Sequence, residues 1–159
     1  MKIRDIITPE DIVIRESADS KKQILQEMVR LVSARNMPLD ERLVTESLLE
    51  RERLGSTGLG DGVAIPHARC AFPEQTDRSI TSLLLKLNKP IDFEANDNQP
   101  VDIIFMLLAS QHCGTEHLTR LAAISRFIRD ANAAEQIRKA ASPDDIWQTL
   151  CDIRLSSAA

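Results

Sequence analysis

Apolar residues recur along this chain in two ways, at helical spacing and in short unbroken runs, and each way predicts a different element. Ile12-Val-Ile14 is a short run and reads as a first strand. From about Ser20 to Arg35, Ile24, Met28, Leu31 and Val32 fall at helical spacing, with Asp19 or Ser20 placed to cap. Asn36 and Pro38 end that helix. Asp40 caps a second, running to about Leu54, with Leu43, Ser47, Leu48 and Arg51 on adjacent turns and Gly55 where a helix is expected to stop.

The middle of the chain changes character. Pro66 biases Ile65 toward an extended conformation, so Val63-Ala-Ile65 predicts a short strand with His67 projecting from its end. Ile80 to Leu87 reads as a strand, Ile91-Asp-Phe93 as a short edge strand, and Glu94-Ala-Asn-Asp-Asn98 as a polar turn. Val101 to Leu108 is nearly all apolar, which predicts a central strand covered on both faces. Gly114-Thr115 opens a third helix that carries His117, Leu121, Ile124 and Ile128 on one face. A short helix over Ala133 to Ala140 precedes a last one from about Ser142 to Arg154. Ser142-Pro143-Asp144-Asp145 supplies that one with a capping hydroxyl, a proline at the first position and acids in the first turn. This order predicts an α/β fold, a single-domain β-sheet sandwiched between helices on both faces. Residues 1–155 form that domain, and 156–159 read as a flexible tail.

Composition narrows the function classes. The 159 residues are 43% hydrophobic and 28% charged, as in an ordinary globular chain. A net charge of −4 gives no electrostatic reason to expect nucleic acid or an anionic membrane. Aromatic content of 3% without tyrosine removes the stacking platforms of single-strand binders. No apolar run is long enough to span a membrane, and Met1-Lys-Ile-Arg-Asp has no signal-peptide core behind it. Cys70, Cys113 and Cys151 lack paired spacing and read as reduced thiols, which together predicts a cytoplasmic protein.

Four of the five glycines then change the picture. Gly55, Gly58, Gly60 and Gly62 fall in one stretch with Ser56 and Thr57, running directly into Val63-Ala-Ile65-Pro66-His67, while Gly114 stands three residues before His117. The stretch lacks the lysine of a P-loop, and Val63 stands where a dinucleotide fingerprint needs its third glycine. A tight helix-to-strand connection is the plain reading. The functional one is a loop whose backbone N–H groups, with the Ser56 and Thr57 hydroxyls, hold one phosphoryl group. His117 falls near the start of its helix, where free N–H groups favour an anion; its plain reading is a core histidine. His67, His112 and His117, with Asp61 or Cys113, match no zinc spacing, so neither metal nor cofactor is expected. No G-x-S-x-G elbow is present. The Glu50-Arg51-Glu52-Arg53 run is either a solvated helix face or the source of an inward-turned guanidinium.

The stretch Leu49-Glu-Arg51-Glu-Arg-Leu-Gly55-Ser-Thr-Gly58-Leu-Gly60-Asp-Gly62-Val-Ala-Ile65-Pro66-His67 closely resembles the active-site segment of type-2 IIA proteins of the phosphoenolpyruvate-dependent phosphotransferase system, the fructose/mannitol class with its nitrogen-regulatory branch. Pro90-Ile-Asp-Phe-Glu94, Asp97-Asn-Gln-Pro100-Val-Asp102 and Glu116-His117-Leu118 extend the resemblance over nearly the whole chain. It implies a mixed sheet between helices. It also implies His67 as the residue phosphorylated through Nε2, His117 as the second active-site histidine that stabilises the phosphoryl group, and Arg51 as its clamp. The implied donor is an HPr-like histidine phosphocarrier, the NPr of the nitrogen system, so donor and acceptor are both proteins. Gly55-Ser-Thr-Gly58 and a length without a fused transport domain look like the regulatory branch, which acts on target proteins, kinases or ion transporters among the possibilities, according to phosphorylation state. The alternative is a sugar-transport IIA component that passes phosphate to a IIB domain. An apolar docking face around Leu59, Ile65, Ala68 and Ala71 is expected in either case.

Overall fold

The computed structural model describes residues 1–35, 37–74, 76 and 78–153, so the expectations for Asn36, Arg154 and the tail at 156–159 fall outside the described residues. Two short 3-10 helices, Ile3–Asp5 and Pro9–Asp11, lead into strand β1 (Ile12–Arg15) and helices α1 (Lys21–Ser33) and α2 (Glu41–Arg53). Three short strands follow, β2 (Gly58–Gly60), β3 (Val63–Ala64) and β4 (His67–Cys70), then two long ones, β5 (Ile80–Ile91) and β6 (Val101–Ser110). Helices α3 (Glu116–Ile128), α4 (Ala131–Lys139) and α5 (Pro143–Asp152) complete the order.

Caps set most helix starts. Ser20, Asp40 and Ser142 each accept a backbone N–H from three residues ahead, at 3.0, 3.1 and 3.1 Å. Asp130 does the same for α4 and moves its start two residues ahead of Ala133. Thr115 stands at the α3 N-cap but makes no side-chain cap bond. The strand expected at Ile91–Phe93 is not separate, because Ile91 belongs to β5 and pairs with Val101.

The sheet is mixed, in the order β1-β5-β6-β3-β2, with β4 also pairing β6. Strand β5 runs antiparallel to β6, whereas β3 and β4 run parallel to it. Val63 pairs with Ile103, Ala64 with Ile104, His67 with Leu107 and Ala68 with Leu108. All four pairs keep the same sequence offset, so β3 and β4 are one track along β6, interrupted at Ile65-Pro66 without losing register. At the break the Ile65 N–H turns away to the Thr57 carbonyl (3.0 Å), while the Pro66 carbonyl still accepts from Leu107 N–H (3.0 Å).

Side-chain alternation divides the interior into two cores. Leu83, Leu85, Leu87, Ile104, Met106 and Leu108 pack with α1 and α2 on one face. Leu84, Ile103, Phe105 and Leu107 pack with α3, α4, α5 and the N-terminal isoleucines on the other. Both faces are covered, which explains the apolar runs at residues 83–85 of β5 and 103–109 of β6. Ser82 and Lys86 are buried polar side chains of β5 on the α4 side, and the Lys86 Nζ donates to the Arg138 and Ala140 carbonyls (2.8 and 2.7 Å) and closes the C-terminal end of α4. No helix among the described residues is long and apolar enough to cross a membrane.

Candidate active site

The glycine segment is a hairpin, which sequence reasoning did not identify. Strands β2 and β3 pair antiparallel around Asp61 and Gly62, at φ 56° and 81°. Two successive positive φ angles are what a two-residue hairpin turn with right-handed twist requires, and Asp-Gly is a favoured pair for it. The turn is fastened from outside. Asp97 accepts the Asp61 N–H (3.0 Å), and Arg138, paired through both carboxylate oxygens with Asp102, donates to the Asp61 carbonyl (2.7 Å). At the other end Glu52, buried on α2, accepts the backbone N–H (3.0 Å) and hydroxyl of Thr57 and pairs with Lys21 of α1 (2.9 Å). The Ser56 hydroxyl donates to the Phe93 carbonyl (3.2 Å) and accepts the Gly58 N–H (3.1 Å).

These bonds bear on the expected cradle. None of Gly55, Ser56, Thr57, Gly58, Gly60 and Gly62 lines the cavity at His67. The N–H groups of Thr57, Gly58 and Asp61 are spent on Glu52, Ser56 and Asp97. The segment therefore acts on the site through the strand it carries: it delivers Pro66 and the first residue of β4 to a fixed place beside β6.

His67, that first residue, lines a cavity of ≈ 270 Å³ with Ser47, Arg51, Ala68, Arg69, Leu107, Ala109 and His117. The expected trio of His67, His117 and Arg51 thus meets in one place. Residues paired across parallel strands share a face, so His67 and Arg69 lie on the α3 side with their partners Leu107 and Ala109. Ser47 and Arg51 come from α2, in the opposite helical layer, and close the cavity across the sheet edge.

His67 Nδ1 lies 2.7 Å from the Ile65 carbonyl oxygen. A carbonyl only accepts, so Nδ1 carries the proton and Nε2 is left with its lone pair. Burial is the first cause that lowers the His67 pKa below its ordinary 6.5; the Ile65 bond and Glu52 oppose it, while Arg51 and His117 add to it. The ring is therefore neutral with a bare Nε2, which is the form a nitrogen nucleophile requires. Arg51 Nη1 donates to the Gly55 carbonyl (2.9 Å). His117 Nδ1 lies 3.1 Å from the Gly114 carbonyl oxygen, at the N-terminal end of α3.

Arg69 is the member that sequence reasoning missed. Its Nη2 donates to the Gly114 carbonyl (2.6 Å) and lies 2.8 and 3.4 Å from the His117 ring nitrogens. A signal existed in the alternation His67-Ala-Arg69, but it becomes readable only once β4 is known to be a strand. His112 is exposed and lines a different cavity, with Ala71, Phe72 and Ser110. The docking face also needs correction, because Ile65 is buried in the α3-side core, Leu59 and Ala68 are partly buried, and only Ala71 is exposed. The large apolar side chains exposed near the cavity are Leu43 (56%) and Leu54 (81%), on the same side of α2 as Ser47, and Leu118 (54%) beside His117.

Comparison with known proteins gives the family of the chain. Residues 5–152 match the family described as phosphoenolpyruvate-dependent sugar phosphotransferase system, EIIA 2. A nitrogen regulatory protein of Bradyrhizobium diazoefficiens is 42% identical over 150 residues, covering 94% of this chain and 95% of that protein. The crystal structure of the nitrogen regulatory protein IIA-Ntr from Neisseria meningitidis superposes with a TM-score of 0.79 at 32% identity, over 93% of this chain and 98% of that one. The fructose-specific EIIABC component of Bacillus subtilis is 29% identical over 92% of this chain, which spans 22% of that protein.

Proposed function

The chain belongs to the phosphotransferase-system EIIA 2 family, and from that premise we propose that it accepts a phosphoryl group on Nε2 of His67 from an HPr-like histidine phosphocarrier and regulates partner proteins according to its phosphorylation state. The observation that carries the proposal is the His67 ring itself. Its Nδ1–H is held by the Ile65 carbonyl, and its Nε2 is bare in a cavity that also contains Arg51 and His117.

The transfer conserves atoms and electrons. The donor's protonated phosphoimidazole releases the phosphoryl group, and the electron pair of the breaking N–P bond stays on the donor ring, which becomes neutral imidazole. The Nε2 lone pair of His67 forms the new N–P bond, and its ring takes on the positive charge. The Ile65 carbonyl, already bonded to Nδ1–H, steadies that charge. Charge in a loose transition state is spread over the phosphoryl oxygens, so the remaining work is positioning and electrostatics. Arg51 supplies a guanidinium for these oxygens, and His117 flanks them from α3.

The regulatory branch is favoured over sugar transport by the relatives. The 42% match to a nitrogen regulatory protein runs over both chains almost in full, whereas the fructose-specific relatives are more distant, at 29% identity. Phosphorylation puts a phosphoryl dianion, offset in part by the positive charge of its own ring, into a cavity lined by Ser47, Arg51 and His117, and the exposed Leu43, Leu54 and Leu118 lie close to those residues along the chain. A partner docked on those leucines must then meet an anion, which gives the phosphorylation state control over binding.

The direct test is incubation with phosphoenolpyruvate, the system's first enzyme and the carrier, followed by intact-mass measurement. One acid-labile phosphoryl group is expected on the wild type and none on His67→Gln. Undiminished modification of His67→Gln would overturn the assignment. Rapid chase of the group onto a IIB cysteine, with sugar phosphorylation, would move the protein to the transport branch.

A further inference from the structure

Two arginines line the His67 cavity, and neither has a carboxylate partner among the described residues. Arg51 is tethered to the carbonyl of Gly55 and Arg69 to that of Gly114. Unneutralised cations around a cavity favour an anion there, and two guanidiniums suit a dianion better than one. Arg51 belongs to the motif that ends at His67, but Arg69 follows it and has no part in the transfer described above.

The strand fixes where Arg69 stands. Residues two apart on a strand project from the same face, about 7 Å apart, so Arg69 stands beside His67 while Ala68 points to the opposite core. Its Nη2 is within 3.4 Å of both ring nitrogens of His117. Distances that close to equal place the guanidinium over the ring face rather than along one lone pair. Arg69 is therefore held by a single carbonyl and a ring face, and its Nε and Nη1 make no hydrogen bond to the described residues. Those N–H groups are available to a ligand in the cavity.

From this arrangement, and resting on His67 as the phosphoryl acceptor, we infer that Arg69 is a further catalytic residue of the transfer, contacting the phosphoryl oxygens directly. No bond to Arg69 is made or broken: its guanidinium donates N–H groups to oxygens that carry charge while the N–P bond to the donor breaks and the one to His67 Nε2 forms. Arg51 approaches from α2 and Arg69 from β4, so guanidinium donors from two elements can reach the phosphoryl oxygens, with His117 on α3 lining the same cavity. When Arg69 turns to the phosphoryl group, the Gly114 carbonyl keeps its contact with His117 Nδ1 at 3.1 Å.

A merely structural Arg69, fastening Gly114, makes different predictions. The experiment is single-turnover transfer from the phosphorylated HPr-like carrier to wild type, Arg69→Gln and Arg69→Lys, with phosphorus NMR of the phosphorylated products. Arg69→Gln is expected to lower the rate at saturating carrier on the order of 10- to 100-fold, the value of a hydrogen bond to a charged group. The carrier concentration for half-maximal rate should change little, and the phosphohistidine resonance should move. Arg69→Lys keeps a donor for Gly114 but loses the planar fork, so a smaller loss of rate is expected. Wild-type rates and an unmoved resonance in both variants, with His67 phosphorylated normally, would overturn the role of Arg69 alone. If Arg69→Gln does not fold, a wild-type rate and resonance in Arg69→Lys would overturn it likewise. Absence of phosphate on His67 in the wild type would instead remove the reading on which the inference rests.

Discussion

At the scale of single residues, His67 joins protonation, hydrogen bonding and reactivity in one ring. Its pKa is lowered mainly by burial, so the ring remains neutral at pH values where an exposed histidine begins to charge. The same shift enters stability. The unfolded chain binds this proton more tightly than the folded one, so the contribution of His67 is present in full above 6.5 and is lost as pH falls through 6.5 toward the folded value. Imidazole NMR should therefore place the His67 midpoint below 6.5, and the unfolding free energy of the wild type should fall more steeply than that of His67→Gln between about pH 7 and pH 5. A midpoint at or above 6.5 would mean that burial does not govern this ring. Cys70 shows the same force on a thiol, which burial pushes up to about 11, leaving little thiolate for reaction. The sequence announces His67 through Pro66 and the glycines before it. Arg69 has no such announcement, because its meaning depends on a four-residue strand that no hydrophobic period marks.

Among the elements, the β2–β3 hairpin has the tightest packing constraint. Gly58 is required there by contact: a Cβ on it would lie 2.7 Å from Ala95 Cβ and 2.9 Å from Ala95 Cα. Backbone would have to move, so Gly58→Ala should cost about 1–3 kcal/mol, as overpacking does. Urea unfolding reads that loss directly, and a variant as stable as wild type would show that the hairpin has slack. Because the hairpin sets the position of Pro66-His67, transfer to His67 should slow in the same variant. Legibility differs between elements for physical reasons. The helices and the two long strands are plain in the sequence because their apolar residues are many and periodic, and Ser20, Asp40 and Ser142 cap where expected. The hairpin is not, because glycines have no hydrophobic period and its strands span two or three residues. Its Asp61-Gly62 pair is a local sign of a turn, masked by the loop-like character of the whole glycine stretch.

The whole molecule consists of two helical layers separated by a mixed sheet, each with its own apolar core. That architecture is predictable from unbroken apolar strands between amphipathic helices, whereas strand order is not, since pairing partners leave no trace in a single strand's composition. One consequence concerns the cavity at the edge of β4. Its lining is shared: Arg51 belongs to the layer of α1 and α2, whereas His117 belongs to that of α3, α4 and α5. On the proposed phosphorylation, a dianion fixed to His67 would be attracted to the Arg51 guanidinium on one side and to the N-terminal end of α3 on the other. The group would then act as a rivet through the rim of a three-ply laminate, resisting the peeling of either outer ply. The phosphorylated protein should melt at a higher temperature than the free form, and amide exchange should slow together in the last turn of α2 and the first turn of α3. Slowing in one of the two turns alone would mean that the group is gripped from a single side. If both slow, the protein's signal is carried by the stiffness of its rim as well as by its charge, and a partner able to sense whether the two plies can part would read the phosphoryl group without touching it.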